Sequence, residues 1–579
     1  MNLLNVAVIA LYFASVPTAF FNRKVGYALT SATSLLFLAS SIEEHAHFAV
    51  ISSLIWALIS LFSLSYDHYG RWLSPLYSLT IAGMTIILLS NNYLTFLAGW
   101  EVMTVSAYIV IGLNRRNSLP AFSFMLFSEL STSLILAGFA LGWGETGTLF
   151  FTELPSPLPL VLCTFGFAVK MGLLPFLVSE WLPMAHGSAP SNVSALLSST
   201  MTLMGVYGIV KVWSLTPQVP EVLGYLIMLL GSFSVFFGAL YAYVSDHVKG
   251  LLAFSTIENN GSILTAIGVL FSAPTMREVA YSVVLIFALA HSLAKAGLFM
   301  VSGGINGDSL TQGGRRKSAE VIVGETILVI SMSGLLPTIG GVAVWGNLEM
   351  LFAYASVLRT NITALILIAA GAMVAVGEGF ATGALVKLFS FTSLFSEPPR
   401  RDERREGWTY SMLGSAALVV ILGISSSSFF PLRGGAQSLG IPEGTLLVMQ
   451  GIPGETFGAI SPLMVTSLIT LFATASFLAF GRPKVRMTRP WNNGRDGEYY
   501  TAFAFSNNVR MMLRSILRFR PWETSGTVTN VFWLILYRLG KGIATLSRKF
   551  GRTFMNGSVA WYMLYMILAF IIVFLLSVF

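Results

Sequence analysis

Charged residues are scarce in this sequence, and the shortage excludes a soluble protein. Only 10% of the 579 residues are Asp, Glu, Lys or Arg, whereas 55% are hydrophobic. Soluble domains carry about 25% charged residues. Apolar stretches of about 20 residues, the length of a bilayer-spanning helix, recur along almost the whole chain. The composition therefore predicts an all-α polytopic membrane protein.

Cysteine is nearly absent as well. The single Cys163 excludes an intrachain disulfide, an Fe–S cluster held by this chain and a cysteine-based zinc site. We therefore expect no cofactor in this chain and assign any redox chemistry to partner subunits. At the N-terminus, Arg23 and Lys24 follow the first apolar run instead of preceding it, which predicts a first spanning helix and not a cleaved signal peptide.

About sixteen spans are predicted, and the charges between them set their orientation. Odd-numbered loops carry most of the basic residues, such as Arg71 and Lys249, whereas even-numbered loops carry mainly acidic or neutral residues. Positive residues stay on the cytoplasmic side. The pattern predicts a multi-pass protein of the cytoplasmic membrane with both termini outside. The spans lie near residues 2–21, 26–42, 48–65, 74–91, 93–112, 119–143, 158–182, 190–213, 221–244, 250–272, 279–303, 320–357, 362–390, 409–430, 459–480 and 558–579.

Two of these spans are interrupted by similar strings. MGLLP at 171–175 breaks the span at 158–182, and SGLLP at 333–337 breaks the overlong span at 320–357. Broken membrane helices survive only where protein or water satisfies the freed backbone groups. Two such breaks, each with further spans in similar order, favour an internal repeat of the kind found in transporters. Chance similarity of a short apolar string is the alternative.

The segment 482–557 differs from the rest, because basic residues recur among apolar ones at three- to four-residue spacing. This pattern predicts an amphipathic helix that lies along the cytoplasmic face of the membrane. It fits a lateral docking arm, and it fits a basic segment held by anionic lipid equally well. The last apolar stretch, 558–579, is predicted to anchor the segment in the membrane.

The first candidate site is a lysine in an apolar run. Lys170 has no charged neighbour for sixteen residues before it or nine after it, and Glu101 lies in another apolar run. Burying such a charge costs about 2.5–3.5 kcal/mol on insertion scales, and membrane proteins retain ionisable groups there mainly for function. If the two pair, the carboxylate holds the ammonium charged, and breaking the pair favours release of its proton. A salt bridge that only fixes helix packing is the alternative.

His291 and Lys295 form the second candidate site. They lie four residues apart in one apolar run, so they share a helix face. Histidine titrates near neutral pH and can relay a proton. A single buried histidine is often structural, but a lysine one turn away in mid-span favours function. The spacing does not match a metal motif.

Further charged residues are open to both interpretations. The apolar pattern around Glu129 and Glu378 predicts that both are buried, and it fits a functional role and a structural role equally well. Glu349 and Lys387 lie closer to span ends, where long side chains reach the interface. Glu258 belongs to a polar patch, STIENN at 255–260. The patch fits either a hydrated path or hydrogen-bonded packing between helices.

Several strings together resemble one family, the antiporter-like membrane subunits shared by respiratory complex I, Mrp-type Na+/H+ antiporters and membrane-bound group 4 hydrogenases. They are WE at 100–101, AVKMGLLPF around Lys170, WLPMAHGSAPSNVSALLS at 181–198, LLAFSTIENNG at 251–261 and AHSLAKAGLFMVSGG at 290–304. STIENNG, ALVKLF around Lys387 and YYTAFAFSNNVRMML are most similar to the large subunits of formate hydrogenlyase and hydrogenase-4. Membrane-bound sulfane reductases contain similar subunits.

The resemblance implies two inverted five-helix repeats with broken helices, followed by a C-terminal extension. It gives N-terminal spans at 1–70, repeats at 71–215 and 216–395, C-terminal spans at 396–481, the lateral segment at 482–557 and the anchor at 558–579. Glu101 matches the family glutamate, Lys170 the lysine of the first repeat, and His291 with Lys295 the central connecting pair. The chain is then a non-redox subunit whose partners are other membrane subunits, lipid and, indirectly, peripheral Fe–S subunits.

Two departures from the family pattern bear on function. The helix after the first break usually carries a lysine or histidine, but here Ser198 and Leu203 occupy those places. After the second break the expected charge is replaced by Trp345, and Glu349 or Glu378 are the possible substitutes. Three hypotheses follow: an ion-translocating subunit for protons or sodium, a scaffold with a truncated path, and an Mrp-type Na+/H+ antiporter.

Overall fold

The computed structural model of the chain describes most of its length. Described are residues 3–66, 70–113, 118–173, 181–304, 309–310, 318–358, 362–394, 407–429, 447–450, 456–481, 502–517, 531–554, 563–564 and 566. Almost all of the predicted anchor at 558–579 lies outside these ranges, as does the charged run at 400–405.

Helices make up nearly all of the described chain. In order they are α1 (Leu3–Phe21), α2 (Arg23–Glu43), α3 (His47–Ser63), α4 (Leu73–Leu89), α5 (Tyr93–Gly112), α6 (Leu119–Thr146), α7 (Leu158–Lys170), α8 (Trp181–Ser188), α9 (Ser191–Leu196), α10 (Thr202–Ser214), α11 (Glu221–Val244), α12 (Val248–Ser272), α13 (Arg277–Ser302), α14 (Ala319–Met332), α15 (Ile339–Leu358), α16 (Ile362–Phe389), α17 (Trp408–Ile424), α18 (Ser426–Phe429), α19 (Pro462–Phe480), α20 (Ala502–Leu517) and α21 (Val531–Phe554).

This architecture confirms a multi-pass, helical membrane protein. Ten of the described helical segments are long and apolar enough to cross a bilayer, and four shorter apolar helices accompany them. Their bounds follow the predicted spans closely; the total of sixteen stays a prediction. One feature departs from the all-α prediction: strands β1 (Leu447–Gln450) and β2 (Thr456–Ile460) form an antiparallel hairpin. Strands this short leave little periodic signal in an apolar sequence.

The centre of the molecule is built from α12 and α13. Apart from Lys249, every residue of α12 is buried, although the helix contains a carboxylate, two asparagines and several hydroxyls. A polar helix is stable inside a membrane protein only where neighbouring helices supply hydrogen-bond partners. The position of α12 therefore makes it the main polar element of the interior.

Glycines bring α11 against α12 at backbone distance. A Cβ added at Gly231 would lie 2.7 Å from the carbonyl oxygen of Gly261, and one at Gly238 would lie 2.7 Å from the amide nitrogen of Glu258. Small residues allow this close approach between membrane helices. Gly83 and Gly99 serve the same purpose between α4 and α5, where an added Cβ at Gly83 would lie 2.8 Å from the carbonyl oxygen of Gly99.

The two interrupting strings end their helices in the same way. Gly172 and Gly334 adopt left-handed backbone angles, with φ of 72° and 66°, a conformation that glycine adopts without strain. The amide of the following leucine then bonds back into the last helical turn, as in a Schellman motif. These bonds run from Leu173 to Ala168 (3.3 Å) and from Leu335 to Ile330 (3.1 Å). The likeness of MGLLP and SGLLP is therefore also one of backbone geometry.

A second feature occurs twice, at the starts of α5 and α12. The Asn92 side chain caps α5 by accepting from the amide of Thr95, and the His247 ring caps α12 by accepting from the amide of Gly250. Each capping residue also forms an isolated antiparallel bridge to the chain that precedes a broken helix. The bridge partners are Phe150 for Asn92 and Ser309 for His247.

Three C-terminal helices lie on the outside of this core. α19 is apolar and almost fully exposed, and α20 and α21 place basic residues among apolar ones within the predicted lateral segment. Their amphipathic character agrees with the prediction for 482–557. Residues 482–501, 518–530 and 555–557 of that segment lie outside the described ranges.

The close contact between α11 and α12 yields a first prediction. Gly231→Ala should destabilise the protein by about 1–3 kcal/mol, the usual cost of overpacking, because the new methyl group would overlap the backbone of α12. The thermal unfolding midpoint in detergent measures this. Gly144→Ala on α6 is the matched control, since a Cβ there has no atom within 4 Å. Equal midpoints for the two variants would contradict the predicted packing.

Candidate functional site

Lys170 is the last residue of α7, where the first break begins, and it is 1% exposed. Its ammonium donates to the hydroxyls of Thr104 on α5 and Ser128 on α6, each at 2.9 Å. The ring centroids of Phe124 and Trp100 lie 4.7 and 5.6 Å from Nζ. The C-terminal end of a helix and aromatic faces both favour a cation. Both hydrogen-bond partners of this charge are therefore neutral.

Glu101 lies one turn before Thr104 on α5, half-buried. Its Oε1 accepts a 2.8 Å hydrogen bond from Thr132, which lies one turn after Ser128 on α6. The described residues include no ion pair between Glu101 and Lys170, so the two side chains do not pair directly in this structure. Both carboxylates of this region, Glu101 and Glu129, are nevertheless close enough to act electrostatically on the lysine.

The facing helices α5 and α6 therefore offer two neighbouring sets of partners. Thr104 and Ser128 hold the ammonium, and one turn along the same pair of helices Thr132 holds the carboxylate of Glu101. We call the two sets of partners together the two-position site; in this structure the Lys170 ammonium occupies the first set.

A π-turn, Leu197–Met201, lies between α9 and α10 and contains Ser198. π-turns free backbone groups and are frequent at functional sites. Here the Ser198 carbonyl accepts from His291 Nε2 at 3.2 Å, and the Ser198 hydroxyl lies 2.7 Å from that of Thr256 on α12. Asn260, one turn further on α12, donates to the Met171 carbonyl beside Lys170 at 2.8 Å.

This contact fixes the proton on one nitrogen of His291. A carbonyl only accepts, so Nε2 carries the hydrogen. The other nitrogen, Nδ1, is buried and has no hydrogen-bond partner within the described ranges. In the neutral ring that atom is a free acceptor for a proton.

Lys295 follows His291 by one turn of α13 and is completely buried. Its ammonium donates to the Leu252 carbonyl at 2.9 Å, and Glu258 is the carboxylate that acts on it. Glu258 accepts hydrogen bonds from Ser255 (3.2 Å) and Asn259, and Glu378 of α16 is close enough to act on it electrostatically. The structure thus brings Lys295 and Glu378 together around Glu258. The sequence had placed Glu258 only within a polar patch.

The Lys387 side chain does not extend to the membrane interface, contrary to the prediction. It is 0% exposed at the end of α16, and its ammonium donates to the Ser245 carbonyl at 2.7 Å and lies 3.4 Å from Asp246 Oδ1. Arg510 of α20 binds the other oxygen of Asp246 at 2.7 Å. The carboxylate therefore joins α16 to the lateral segment, a link that the sequence did not reveal.

Glu349 lies apart from the other candidates. It is half-buried beside Trp345 and faces Gly458 of the hairpin. The inward face of α15 instead presents Asn347, whose amide donates to Thr265 Oγ1 of α12 at 3.1 Å. Glu349 therefore does not supply a buried charge in the place that Trp345 occupies.

One buried carboxylate was missed altogether. Glu325 of α14 is 1% exposed and accepts hydrogen bonds from Thr392 (2.7 Å) and Ser393. Its only sequence signal was a single charge in an apolar run. In the described part of the chain, His, Cys, Asp and Glu side chains form no group of three or more that could hold a metal ion.

These features define a class of protein: a helical membrane protein with ionisable side chains buried between its broken helices. Comparison with known proteins gives the family. Residues 90–320 match the family described as NADH:quinone oxidoreductase/Mrp antiporter, transmembrane region. Over these residues the chain is similar to this family of antiporter-like membrane proteins, as the sequence motifs indicated.

Individual relatives agree. Hydrogenase-4 component B of Escherichia coli K12 is 31% identical over 427 residues, covering 67% of this chain and 62% of that protein. Formate hydrogenlyase subunit 3 of the same organism is 26% identical, covering 77% and 75%. A chain of the membrane-bound sulfane sulfur reductase, an archaeal respiratory membrane complex, superposes with a TM-score of 0.76 at 17% identity, covering 98% and 99%. The last likeness shows a shared fold.

The contact of α20 with the core yields a second prediction. Arg510→Ala should release α20 from Asp246, because hydrogen bonds to charged groups contribute about 1.5–3 kcal/mol, or roughly ten- to a hundredfold in opening. Limited proteolysis between α20 and the core measures that opening. Arg548→Ala is the control, since within the described residues its guanidinium donates to Ala544 of its own helix, α21. Identical cleavage rates for both variants would rule out this anchoring role.

Proposed function

We propose that this chain moves protons across the cytoplasmic membrane as a non-redox subunit of a complex I-like oxidoreductase. The observation that carries the proposal is the two-position site of Lys170. Its ammonium donates hydrogen bonds to two hydroxyls, and the Glu101 carboxylate lies one helical turn away. A conformational change in a partner subunit that shifts α5 against α6 would move the charge between these partners.

Each position has a different effect on the proton. Beside Glu101, the opposite charge stabilises the ammonium. Held by neutral hydroxyls in a low-dielectric interior, the same ammonium loses that stabilisation and can release one proton. The lysine then becomes a neutral amine, and the proton needs an acceptor towards the middle of the chain.

The acceptor in this account is His291. The polar groups between the two residues are Asn260, Thr256 and the π-turn carbonyl of Ser198, which already binds the ring. The free Nδ1 takes the proton and the ring becomes an imidazolium. Lys295, one turn further on α13, is the next site. Neutral side chains and water thus replace the basic residue that is missing at Ser198.

Architecture and topology belong to the same proposal. The matching breaks, helix caps and bridges support two inverted five-helix repeats at 71–215 and 216–395. The charges of the loops support termini outside the cell. The exposed apolar and basic faces of α19 to α21 support contact with other membrane subunits and lipid, and the proposal places peripheral Fe–S subunits beyond them.

The matched test replaces Lys170 and a control lysine. Lys170→Ala should lower proton pumping by the intact complex in sealed membrane vesicles about 100-fold or more, the lower bound for a positioned proton-transfer group, with normal assembly. Lys211→Ala should leave pumping unchanged, because that lysine is half-buried over the ring of Phe151, 5.2 Å from its centroid.

A scaffold role is the second candidate, and one observation favours it. The residue that ends α14, at the place where α7 ends in Lys170, is the uncharged Met332. Unaltered pumping by Lys170→Ala in a normally assembled complex would establish the scaffold role and refute translocation through this site.

An Mrp-type exchanger makes a different prediction. Proton movement through such a protein requires sodium on the other side, whereas the proposed lysine–histidine path does not. Pumping by the wild-type complex should therefore be the same in sodium-free and sodium-containing vesicles. A strict requirement for sodium would replace the proposed function with exchange.

A further inference from the structure

A cavity of about 480 Å³ lies at one end of the helix bundle. Its walls come from the ends of α4 and α10, from the starts of α3 and α13 and from the turn between α2 and α3. Sites for small molecules in proteins usually enclose about 300–1,000 Å³. The size of the cavity therefore fits an organic molecule, and it includes none of the residues of the proposed proton path.

The guanidinium of Arg277, the first residue of α13, lines this cavity without a partner from the chain. Its Nε atom is buried and has no hydrogen-bond acceptor within the described ranges. The ion pairs of the described residues do not include Arg277 either. Buried polar groups are normally hydrogen-bonded, and an unsatisfied one is costly. A ligand with acceptor oxygens is the partner that this donor fits.

The charged groups around the cavity favour an anion with a single negative charge. Lys211 of α10 is a second cation, and its ammonium lies 5.2 Å from the ring centroid of Phe151. Glu278, which is exposed, is the one carboxylate among the described lining residues. Two cations and one carboxylate leave one positive charge. Because Lys211 already contacts an aromatic ring, Arg277 is the cation that is left to bind an anion.

Two histidines line the side of the cavity that is formed by the turn between α2 and α3. His45 has a left-handed backbone with φ of 53°, which a side chain with a Cβ adopts only at a cost. The amide of Ala46 donates to the Ser41 carbonyl at 2.9 Å and fixes this turn. His47 Nδ1 lies 3.3 Å from the Tyr281 hydroxyl of α13. The turn therefore adds hydrogen-bonding groups to the cavity and joins two of its walls.

The rest of the wall is apolar and aromatic. Its members are Phe48, Leu88, Tyr207, Val210 and Trp213. Tyr and Trp rings are enriched where membrane helices meet the aqueous phase. An inorganic anion leaves such a wall in contact with water, whereas an amphiphile covers it. One net positive charge beside an apolar surface at the helix ends is the combination that a phospholipid at headgroup level fits.

Exposed apolar side chains continue from the cavity onto the outer surface of the bundle. Phe150 precedes the residue whose ring Lys211 contacts and is 56% exposed. Ile42, three residues before His45, is 55% exposed. Acyl chains that leave the cavity can lie along these side chains within the bilayer.

We propose that this cavity binds the phosphodiester head of an anionic phospholipid, with Arg277 as the phosphate-binding residue. The planar guanidinium presents paired donors that match phosphate oxygens. A phosphodiester has one negative charge and balances the single positive charge around the cavity. A phosphate monoester carries about 1.5–2 negative charges at pH 7, and inorganic phosphate has no chain to cover the apolar wall.

This site goes beyond the proposed function and is separate from the exposed faces of α19 to α21. A lipid in the cavity contacts α3, α10 and α13 at the same time. Binding to the folded state alone raises stability in proportion to the logarithm of the ligand concentration. The lipid should therefore stabilise the packing of the N-terminal helices against α10 and α13.

Photo-cross-linking on the intact purified complex tests the site. The probe is a phosphatidylglycerol with a diazirine near the start of one acyl chain, added to the delipidated complex in detergent. In the wild type, mass spectrometry should find the label on the peptides that contain residues 207–214 and 277–281. Arg277→Gln should reach half-saturation at a lipid concentration about ten- to a hundredfold higher, because glutamine lacks the charged donors.

The matched control is Lys24→Gln. Lys24 is an exposed cation at the end of α2 that lies away from the cavity, so this variant should label like the wild type. Arg277→Lys keeps the charge and loses the paired donors, so its half-saturation should lie between those of the wild type and Arg277→Gln. Equal half-saturation in the wild type and Arg277→Gln overturns the assignment of the phosphate to Arg277.

Two competitors identify the source of the phosphate. Phosphatidylcholine carries the same phosphodiester with a compensating cation and should compete more weakly than unlabelled phosphatidylglycerol. Equal competition refutes selection of an anionic lipid by charge. Inorganic phosphate in excess should leave the label in place, and its displacement of the probe replaces the lipid with free phosphate as the ligand.

The wild-type measurement does not depend on recovery of any variant. Labelling that is absent from both peptides of the wild type refutes the lipid site. A partner subunit that covers the cavity gives this same result, and it excludes the lipid equally.

Discussion

Ionisable side chains inside a low-dielectric interior need hydrogen-bond partners to stabilise them. The partners in this protein are mainly neutral groups. Lys170 rests on two hydroxyls, Lys295 on the Leu252 carbonyl and Glu101 on the Thr132 hydroxyl. A tight buried ion pair would be costly to separate. Neutral partners stabilise each charge less, so small movements suffice to change which group carries a proton.

The helices are arranged to provide these neutral partners. The break after α7 places Lys170 at a helix end, and the π-turn after α9 contains the Ser198 carbonyl that binds His291. Glycines on α11 let the polar helix α12 lie at the centre, where its side chains reach both halves. In this protein, irregular backbone and close packing are conditions for burying charge.

The sequence predicted features that depend on local pattern. Apolar length predicted the spans, and isolated charges within them predicted burial of Lys170, His291 and Lys295. The breaks were visible as glycine and proline in overlong runs. These signals are local because a spanning helix must satisfy its own backbone and must be apolar throughout.

Partners that come from distant parts of the chain could not be predicted. Glu258 and Glu378 are separated by 120 residues, and only the packing of α12 against α16 joins them. Lys387 was placed at an interface because its span ends nearby, yet Asp246 and Arg510 enclose it. The lack of a charge at Ser198 suggested a gap, whereas the Ser198 carbonyl accepts from His291, a contact that no side-chain pattern encodes.

The most direct test of the central claim is the number of protons moved per electron by the reconstituted complex, with wild type and Glu101→Gln compared. The glutamine keeps the hydrogen bond with Thr132 but cannot stabilise the ammonium of Lys170. The account predicts fewer protons per electron at an unchanged rate of electron transfer. An unchanged ratio in a fully assembled complex would contradict it.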